Sequence, residues 1–313
     1  MAMDTPTKAA MSGTFATSEA ARPPFPVIVG CPRSGTSMLA VMLDAHPEIA
    51  FPPETAFVKH VVSLGGPSDL LRRTFVEIVT TDRAPDSNWT DLGLDRATFA
   101  GRMAAIEPFN VTAGLRGLFD MYAAQHGKRR AGEKTPDNTQ VIPAIGALLP
   151  EAHFIHVIRD PRDTVLSWQK TWFAPTRDPE ALGRGWQQFV RAGRQGGAAV
   201  AHYLETRYED LVLRPERELR RICDFLALEY SAAMTDPSAQ GAARLARLNG
   251  RTHRSGRVIT REQRTEIHVN LARPPLPERV GVWRREMSEA DRAAVERGAG
   301  ALLHELGYGA EAA

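Results

Sequence analysis

The sequence predicts a three-layer α/β/α fold around a central parallel sheet, and three observations carry that expectation. Short apolar runs that read as strands recur at Val27–Val29, Ile49–Phe51, Phe154–Ile158 and Leu204–Tyr208. Helical patterns lie between them, which favours parallel pairing with both sheet faces covered. A glycine-bearing loop at residues 30–37 and Arg159 both fall just past strand ends, where ligands of such sheets bind. At 313 residues, 43% hydrophobic and 24% charged, the chain has the composition of an ordinary globular enzyme with a substantial core. A formal charge of +2 does not by itself imply a nucleic-acid or membrane partner.

Residues 1–24, rich in Ala, Thr and Ser, lack the apolar stretch of a secretory signal and are expected to be a disordered leader. Residues 25–313 are expected to form one domain. The apolar run from Phe25 to Val29 leads into Gly30-Cys31-Pro32-Arg33-Ser34-Gly35-Thr36-Ser37, followed by a helical pattern through Met38, Leu39, Met42 and Leu43. Glycines at this spacing, between a strand and a helix, are the context of a phosphate-binding P-loop, so the fold is expected to be P-loop NTPase-like. Backbone N–H groups and the helix N-terminus would grip an anion there. Thr36 stands where such loops carry lysine, and Arg33 offers a cation from within the loop instead. The loop therefore suits a phosphate with no γ-phosphate behind it, the bland alternative being a chance Gly/Ser turn.

Glu54 follows Pro52-Pro53 after the second strand. It can be a general base near a positive loop or simply an acid in a first helical turn. Residues 65–127 read as a helical insert on the acceptor side of the site, broken by Pro67, by Pro85-Asp86-Ser87-Asn88 and by Pro108. Lys134 lies in Gly132-Glu133-Lys134-Thr135-Pro136 and is one of only five lysines among 39 basic residues. A surface Glu–Lys turn is the competing reading. The buried strand through Phe154–Ile158 ends in Arg159-Asp160-Pro161-Arg162-Asp163. A helix is then expected over Thr164–Phe173, with Pro161 and Asp163 suited to its first turn. Arg159 offers a planar fork and Ser167 a hydroxyl to a second phosphate, unless the segment is only an Arg–Asp surface turn. Seven arginines between Arg244 and Arg264 are either solvated helix surface or cleft lining. Residues 249–279 have little periodicity, end in Pro274-Pro275-Leu276-Pro277, and read as a long lid loop. A closing helix is expected from Ser288 to Leu306.

Together these segments resemble sulfotransferases that use 3′-phosphoadenosine 5′-phosphosulfate (PAPS). Pro32, Arg33, Ser34, Gly35, Thr36 and Ser37 resemble that family's 5′-phosphosulfate loop, and Arg159 with Ser167 its 3′-phosphate pair. Tyr208, in Arg207-Tyr208-Glu209-Asp210-Leu211, resembles the tyrosine near the adenine. Arg279 and Arg284 sit in a late segment that resembles the one closing over the 3′-phosphate, without the full glycine pattern of cytosolic members. Pro136 stands where cytosolic aryl and steroid members carry a histidine, so the likeness is closer to glycan-, tyrosine-modifying and bacterial members.

The resemblance implies sulfuryl transfer from PAPS to a hydroxyl, or an amine, of a small molecule or glycan. Glu54 would be the base, with Arg33 and Lys134 as cations at the leaving phosphate and no metal required. His46, His60, His156 and His268 are rival bases. Two cysteines, Cys31 and Cys223, make no disulfide framework or metal set, and no apolar run reaches 18 residues, which points to a cytoplasmic protein without membrane or nucleic-acid partners. A P-loop kinase is disfavoured by Thr36 and by Arg159 at the strand end. A nonenzymatic nucleic-acid-binding module is disfavoured because no aromatic residue lies in the 244–264 span.

Overall fold

In the computed structural model residues 22–81, 88–252 and 256–309 are described. Most of the leader at 1–24, Pro85-Asp86-Ser87 of the insert and Arg254 of the basic span lie outside the described residues. The strands are β1 (Phe25–Gly30), β2 (Ile49–Ala50), β3 (Arg130–Ala131), β4 (Glu133–Lys134), β5 (Ala152–Ile158), β6 (Tyr203–Arg207), β7 (Arg251–Thr252) and β8 (Val258–Ile259). The central sheet runs β4–β1–β5–β6, all parallel, with β1 and β5 in register from Phe25↔Ala152 to Gly30↔Val157.

Alternation along these strands separates two of three apolar clusters, because successive side chains point to opposite faces; the third gathers Ile158, Trp168, Trp186 and Val295 beyond the strand end. Val27, Val29 and Phe154 share one core with Phe75, Phe99 and Leu115 of the insert. Ile28, Ile155 and Val157 share another with Leu39 and Leu43 of the Thr36–Asp44 helix and with Leu219 and Ile222 of the Pro215–Phe225 helix. On the first face the Pro179–Gly197 helix comes so close that a side chain at Gly193 would strike the His156 ring. The result is the expected three-layer α/β/α arrangement.

Several sequence expectations change. The strand at Ile49–Ala50 does not join the central sheet; it pairs with β3 in a separate two-stranded sheet. Gly132 is the hinge between β3 and β4. Its N–H donates to Ala50 O at 2.9 Å, and any Cβ there would lie 2.4 Å from the Phe51 ring. Lys134 is thereby an edge-strand residue of the central sheet, not part of a surface turn. The helix expected over Thr164–Phe173 runs from Pro161 to Gln169, started by the Asp160 carboxylate, which accepts from Arg162 N at 2.8 Å.

The stretch expected as a structureless loop, 249–279, is folded where it is described. It holds the β7–β8 hairpin, the Arg261–Glu266 helix and 3₁₀ turns at Val269–Ala272 and Pro277–Arg279. The Thr260-x-x-Gln263 capping box that starts its helix was legible in the sequence. The closing helix is two helices, Glu289–Ala299 and Ala301–Glu305, interrupted at Gly300, whose φ of +60° ends the first. The insert contains helices at Ser68–Thr80, Trp89–Leu92, Arg96–Ala104 and Val111–Gln125. Among the described residues no helix is long and apolar enough to cross a membrane.

Candidate active site

The loop between β1 and its helix is sharply bent. Gly30 and Gly35 have φ of +147° and +101°, and Arg33, a residue with a side chain, sits at +71°. A left-handed arginine costs about 1–2 kcal/mol, a strain that concentrates at functional loops. Ser34 is buried and both its N–H and its hydroxyl donate to Cys31 O, at 3.1 and 2.7 Å, so it braces the loop internally. Gly35 starts the helix and lies against the Tyr208 ring; a Cβ there would be 2.5 Å from that ring. Gly35→Ala should therefore lower stability by about 1–3 kcal/mol, read by thermal or denaturant unfolding. An unchanged midpoint would mean that Tyr208 and the loop have room to move apart.

Three cations meet at this loop, one from within it and two from distant parts of the chain. Arg33 Nε donates to Ser167 Oγ at 3.1 Å, and its other arm reaches Ile267 O at 3.1 Å. Burial and then the neighbouring Arg159 charge lower its pKa to about 10, so it remains a cation at neutral pH. Arg159, 5% exposed, donates to Arg33 O at 3.3 Å and to Arg279 O at 2.8 Å, and its guanidinium lies 4.2 Å from the Tyr208 ring centre. Its Nε is buried with no hydrogen-bond partner. The third cation is Lys134, 2% exposed, whose Nζ donates to Ser37 Oγ at 2.9 Å and to Glu54 Oε1 at 2.5 Å.

Glu54 is held from both sides. Asn88 donates to its carbonyl at 2.6 Å, and Lys134 grips its carboxylate. Burial works to raise the Glu54 pKa, but the Lys134 charge and hydrogen bond, with His268 and Arg251 behind them, hold it down at about 2. Burial lowers the Lys134 pKa, and Glu54 opposes that. Among the four rival histidines, His268 lines the cavity. Burial and then the Arg33 charge lower its pKa to about 3, so it stays neutral. His46 is tied to Glu229 O and Glu48 N, His156 is a buried strand residue bonded to the Tyr203 hydroxyl, and His60 is exposed.

These groups line a cavity of about 620 Å³, within the usual size of a ligand pocket. Pro32, Arg33, Gly35, Thr36, Ser37, Glu54, Lys134, Arg159, Ser167, Tyr208 and Arg279 all face it. Arg284 does not; it is exposed and stacked on Trp283. Of the basic span, Arg244, Arg251 and Arg264 turn inward to the cavity wall, while Arg247 bonds to His126 and Arg261 to Ala246 O. Trp168, Trp172, Phe173 and Phe189 form an aromatic wall.

Two buried acids escaped the sequence reading. Asp163, expected only as a helix-start acid, accepts from Gly281 N at 2.8 Å and Trp283 N at 2.9 Å, clasping the late segment onto the Arg159 turn. Glu133 accepts from Thr55 Oγ1, Thr135 Oγ1 and Asn138 Nδ2 at 2.7–2.8 Å, tying the Glu54 loop to β4. The polar run Glu133 to Thr139 looks like surface in sequence, and nothing local marks it as buried. Among the described residues no group of three or more His, Cys, Asp or Glu is arranged to hold a metal ion.

The model of the sulfotransferase family matches residues 24–232. The chain is 27% identical over 223 residues to nodulation protein NoeE of Sinorhizobium fredii, covering 64% of this chain and 49% of that protein. It is 31% identical over 212 residues to a putative protein-tyrosine sulfotransferase of Caenorhabditis briggsae, covering 66% of each. The chain thus spans about half to two thirds of the length of these curated relatives. Among solved structures, the sulfotransferase domain of the Synechococcus PCC 7002 olefin synthase superposes with a TM-score of 0.58 at 21% identity, covering 92% of this chain and 96% of that one. The sulfotransferase domain from the curacin biosynthetic pathway gives 0.57 at 19%, covering 93% and 99%. At these identities the structural matches speak to the fold.

Proposed function

The chain belongs to the sulfotransferase family, and from that premise we propose that it transfers a sulfuryl group from PAPS to a hydroxyl, or an amine, of a small-molecule or glycan acceptor. The observation that best supports this is the meeting of Arg33 and Arg159, 126 residues apart in the chain, over one cavity with Ser167 between the two motifs. The buried, unpartnered Nε of Arg159 suits a bound anion, because buried polar groups are nearly always satisfied.

We assign the 5′-phosphosulfate to Pro32, Arg33, Gly35, Thr36 and Ser37, the 3′-phosphate to Arg159, Ser167 and Arg279, and the adenine side to Tyr208. Ser34 braces the loop, and Arg284 stands outside the set. The donor supplies an in-line displacement at sulfur: the acceptor O–S bond forms as the S–O bond to the 5′-phosphate breaks, and the acceptor proton goes to a base. In this reading Glu54 takes that proton, and Lys134 and Arg33 neutralise charge at the leaving phosphate. The two roles share one hydrogen bond. While Lys134 grips Glu54, the carboxylate is a weak base; a phosphate in the loop competes for Lys134 and would restore basicity to Glu54.

We further read the β1–loop–helix unit as P-loop NTPase-like, with Lys134 reaching Ser37 from β4 in place of the lysine that Thr36 replaces. Residues 25–313 are read as one domain, with Asn88 of the 65–127 insert and His268 of the 249–279 segment both lining the cavity. A cytoplasmic setting belongs to the same reading and draws on Cys31 and Cys223, both buried free thiols.

Thermal-shift titrations test the reading. Adenosine 3′,5′-bisphosphate should stabilise the protein more than 5′-AMP or ATP with magnesium, and sulfuryl transfer should survive excess chelator. A larger response to ATP with magnesium, or activity lost to chelator and restored by magnesium, would favour a kinase.

A further inference from the structure

Building on the sulfotransferase reading, we propose that Arg244 recognises a carboxylate on the acceptor, so that the substrate class is a hydroxylated amphipathic acid. Arg244 lines the cavity at 9% exposure and donates to Phe51 O at 2.5 Å. Among the described residues no carboxylate lies within 4 Å of its guanidinium. The other inward-facing arginines of this wall are engaged differently. Arg264 pairs with the buried Asp91 at 2.5 Å, and Arg251 donates to Asn88 Oδ1 at 2.7 Å and lies over the Trp172 ring. A buried cation held by one carbonyl is poorly compensated, and a ligand oxyanion would compensate it. The guanidinium fork matches a carboxylate in two-point geometry.

Position places Arg244 with the acceptor and not with the donor. Arg33 and Arg159 gather at the start of the Thr36–Asp44 helix, against Gly35 and Tyr208. Arg244 is held by Phe51, whose N–H donates to Asp44 Oδ1 at 2.9 Å, at the other end of that helix. The nine-residue helix separates its two ends, although the Arg244 charge still reaches Lys134 at the helix start. Along the way Met38 and Val41 of this helix and Leu245 and Leu248 beside Arg244 present apolar surface to the same cavity. An apolar acceptor body would lie against them, with its hydroxyl at Glu54 and Lys134 and its acid at Arg244.

Calorimetry on the full chain saturated with adenosine 3′,5′-bisphosphate tests this with 10-hydroxydecanoate and 3-(4-hydroxyphenyl)propionate, each against its neutral amide. The acids should bind the parent roughly 10- to 100-fold more tightly than the amides. Arg244→Gln should bring the two forms to near parity by weakening the acids alone, and Arg244→Lys should restore part of the preference. Equal binding of acid and amide by the parent, or no saturable binding of either acid, overturns the proposal without needing a variant that folds. A bisphosphate affinity that falls in Arg244→Gln as far as acid affinity would assign the arginine to the donor and also overturn it. Failure of the parent to bind the bisphosphate at all would instead sink the sulfotransferase reading.

Discussion

Glu54→Gln should lower kcat by about 10²–10⁴-fold with affinity for adenosine 3′,5′-bisphosphate kept or slightly increased. Glutamine matches glutamate in size and still presents an oxygen to Lys134, but it takes no proton at neutral pH. It also frees the Lys134 charge for a donor phosphate, which is why product-nucleotide binding should not fall. Because Lys134 is 2% exposed and loses its counter-charge, a modest fall in melting temperature should accompany the change. The pH profile separates Glu54 from a histidine. With Lys134 on the carboxylate the Glu54 pKa is about 2, so kcat/KM for the donor should show no acid break from this group in the accessible range. Once a phosphate draws Lys134 away, the half-buried carboxylate loses the charge and hydrogen bond that hold its pKa down, and the acid limb of kcat should lie at higher pH than that of kcat/KM. Near-normal kcat in Glu54→Gln, together with loss of turnover in His268→Gln, would move the base to His268. The phosphate-site assignments would be untouched.

Arg159→Ala should weaken adenosine 3′,5′-bisphosphate binding by about 2–4 kcal/mol, the loss typical of a charge-assisted contact in a partly desolvated site. Binding of 5′-AMP, which lacks the 3′-phosphate, should change far less. The substitution also takes the ion-pair partner at 3.6 Å from the buried Asp163, but that carboxylate keeps its two backbone donors at Gly281 and Trp283 and Asp160 still caps the helix, so the turn retains most of its support. Arg159→Lys retains charge without the fork and should recover only part of the affinity. Equal losses for both nucleotides would show that Arg159 serves as a brace between Arg33 O and Arg279 O.

Much of the site to which we assign the donor is legible in sequence because its signals are local. Glycine spacing, the missing lysine at Thr36 and the Arg159–Ser167 interval each lie within one strand–loop–helix unit, where backbone geometry follows from a few residues. The same holds for β1, β5 and β6, whose apolar runs show in sequence even though their ends move by one or two residues. The short β3 and β4 had no such signal. Two-residue strands have no period to detect, and their pairing depends on the bend at Gly132 against Phe51. In the segment 249–279 the elements are too short to show a period, so the capping box at Thr260 and Gln263 is the one local sign of its helix.

By itself the sequence determined the layered α/β class, the bent Gly30–Ser37 loop between a strand and a helix, and the residue types available for catalysis, because these are encoded within short windows. Only the tertiary structure decided which residues act on one another. It brought Lys134 from the sheet edge to both Ser37 and Glu54, bent Ser34 inward, left Arg284 outside and turned Arg244 into the cavity wall. Those outcomes depend on contacts between segments up to about two hundred residues apart, as between Arg244 and Phe51. Burial then set the chemistry: the Lys134–Glu54 pair and the neutral His268 owe their ionisation to desolvation and to neighbours that no local pattern brings together.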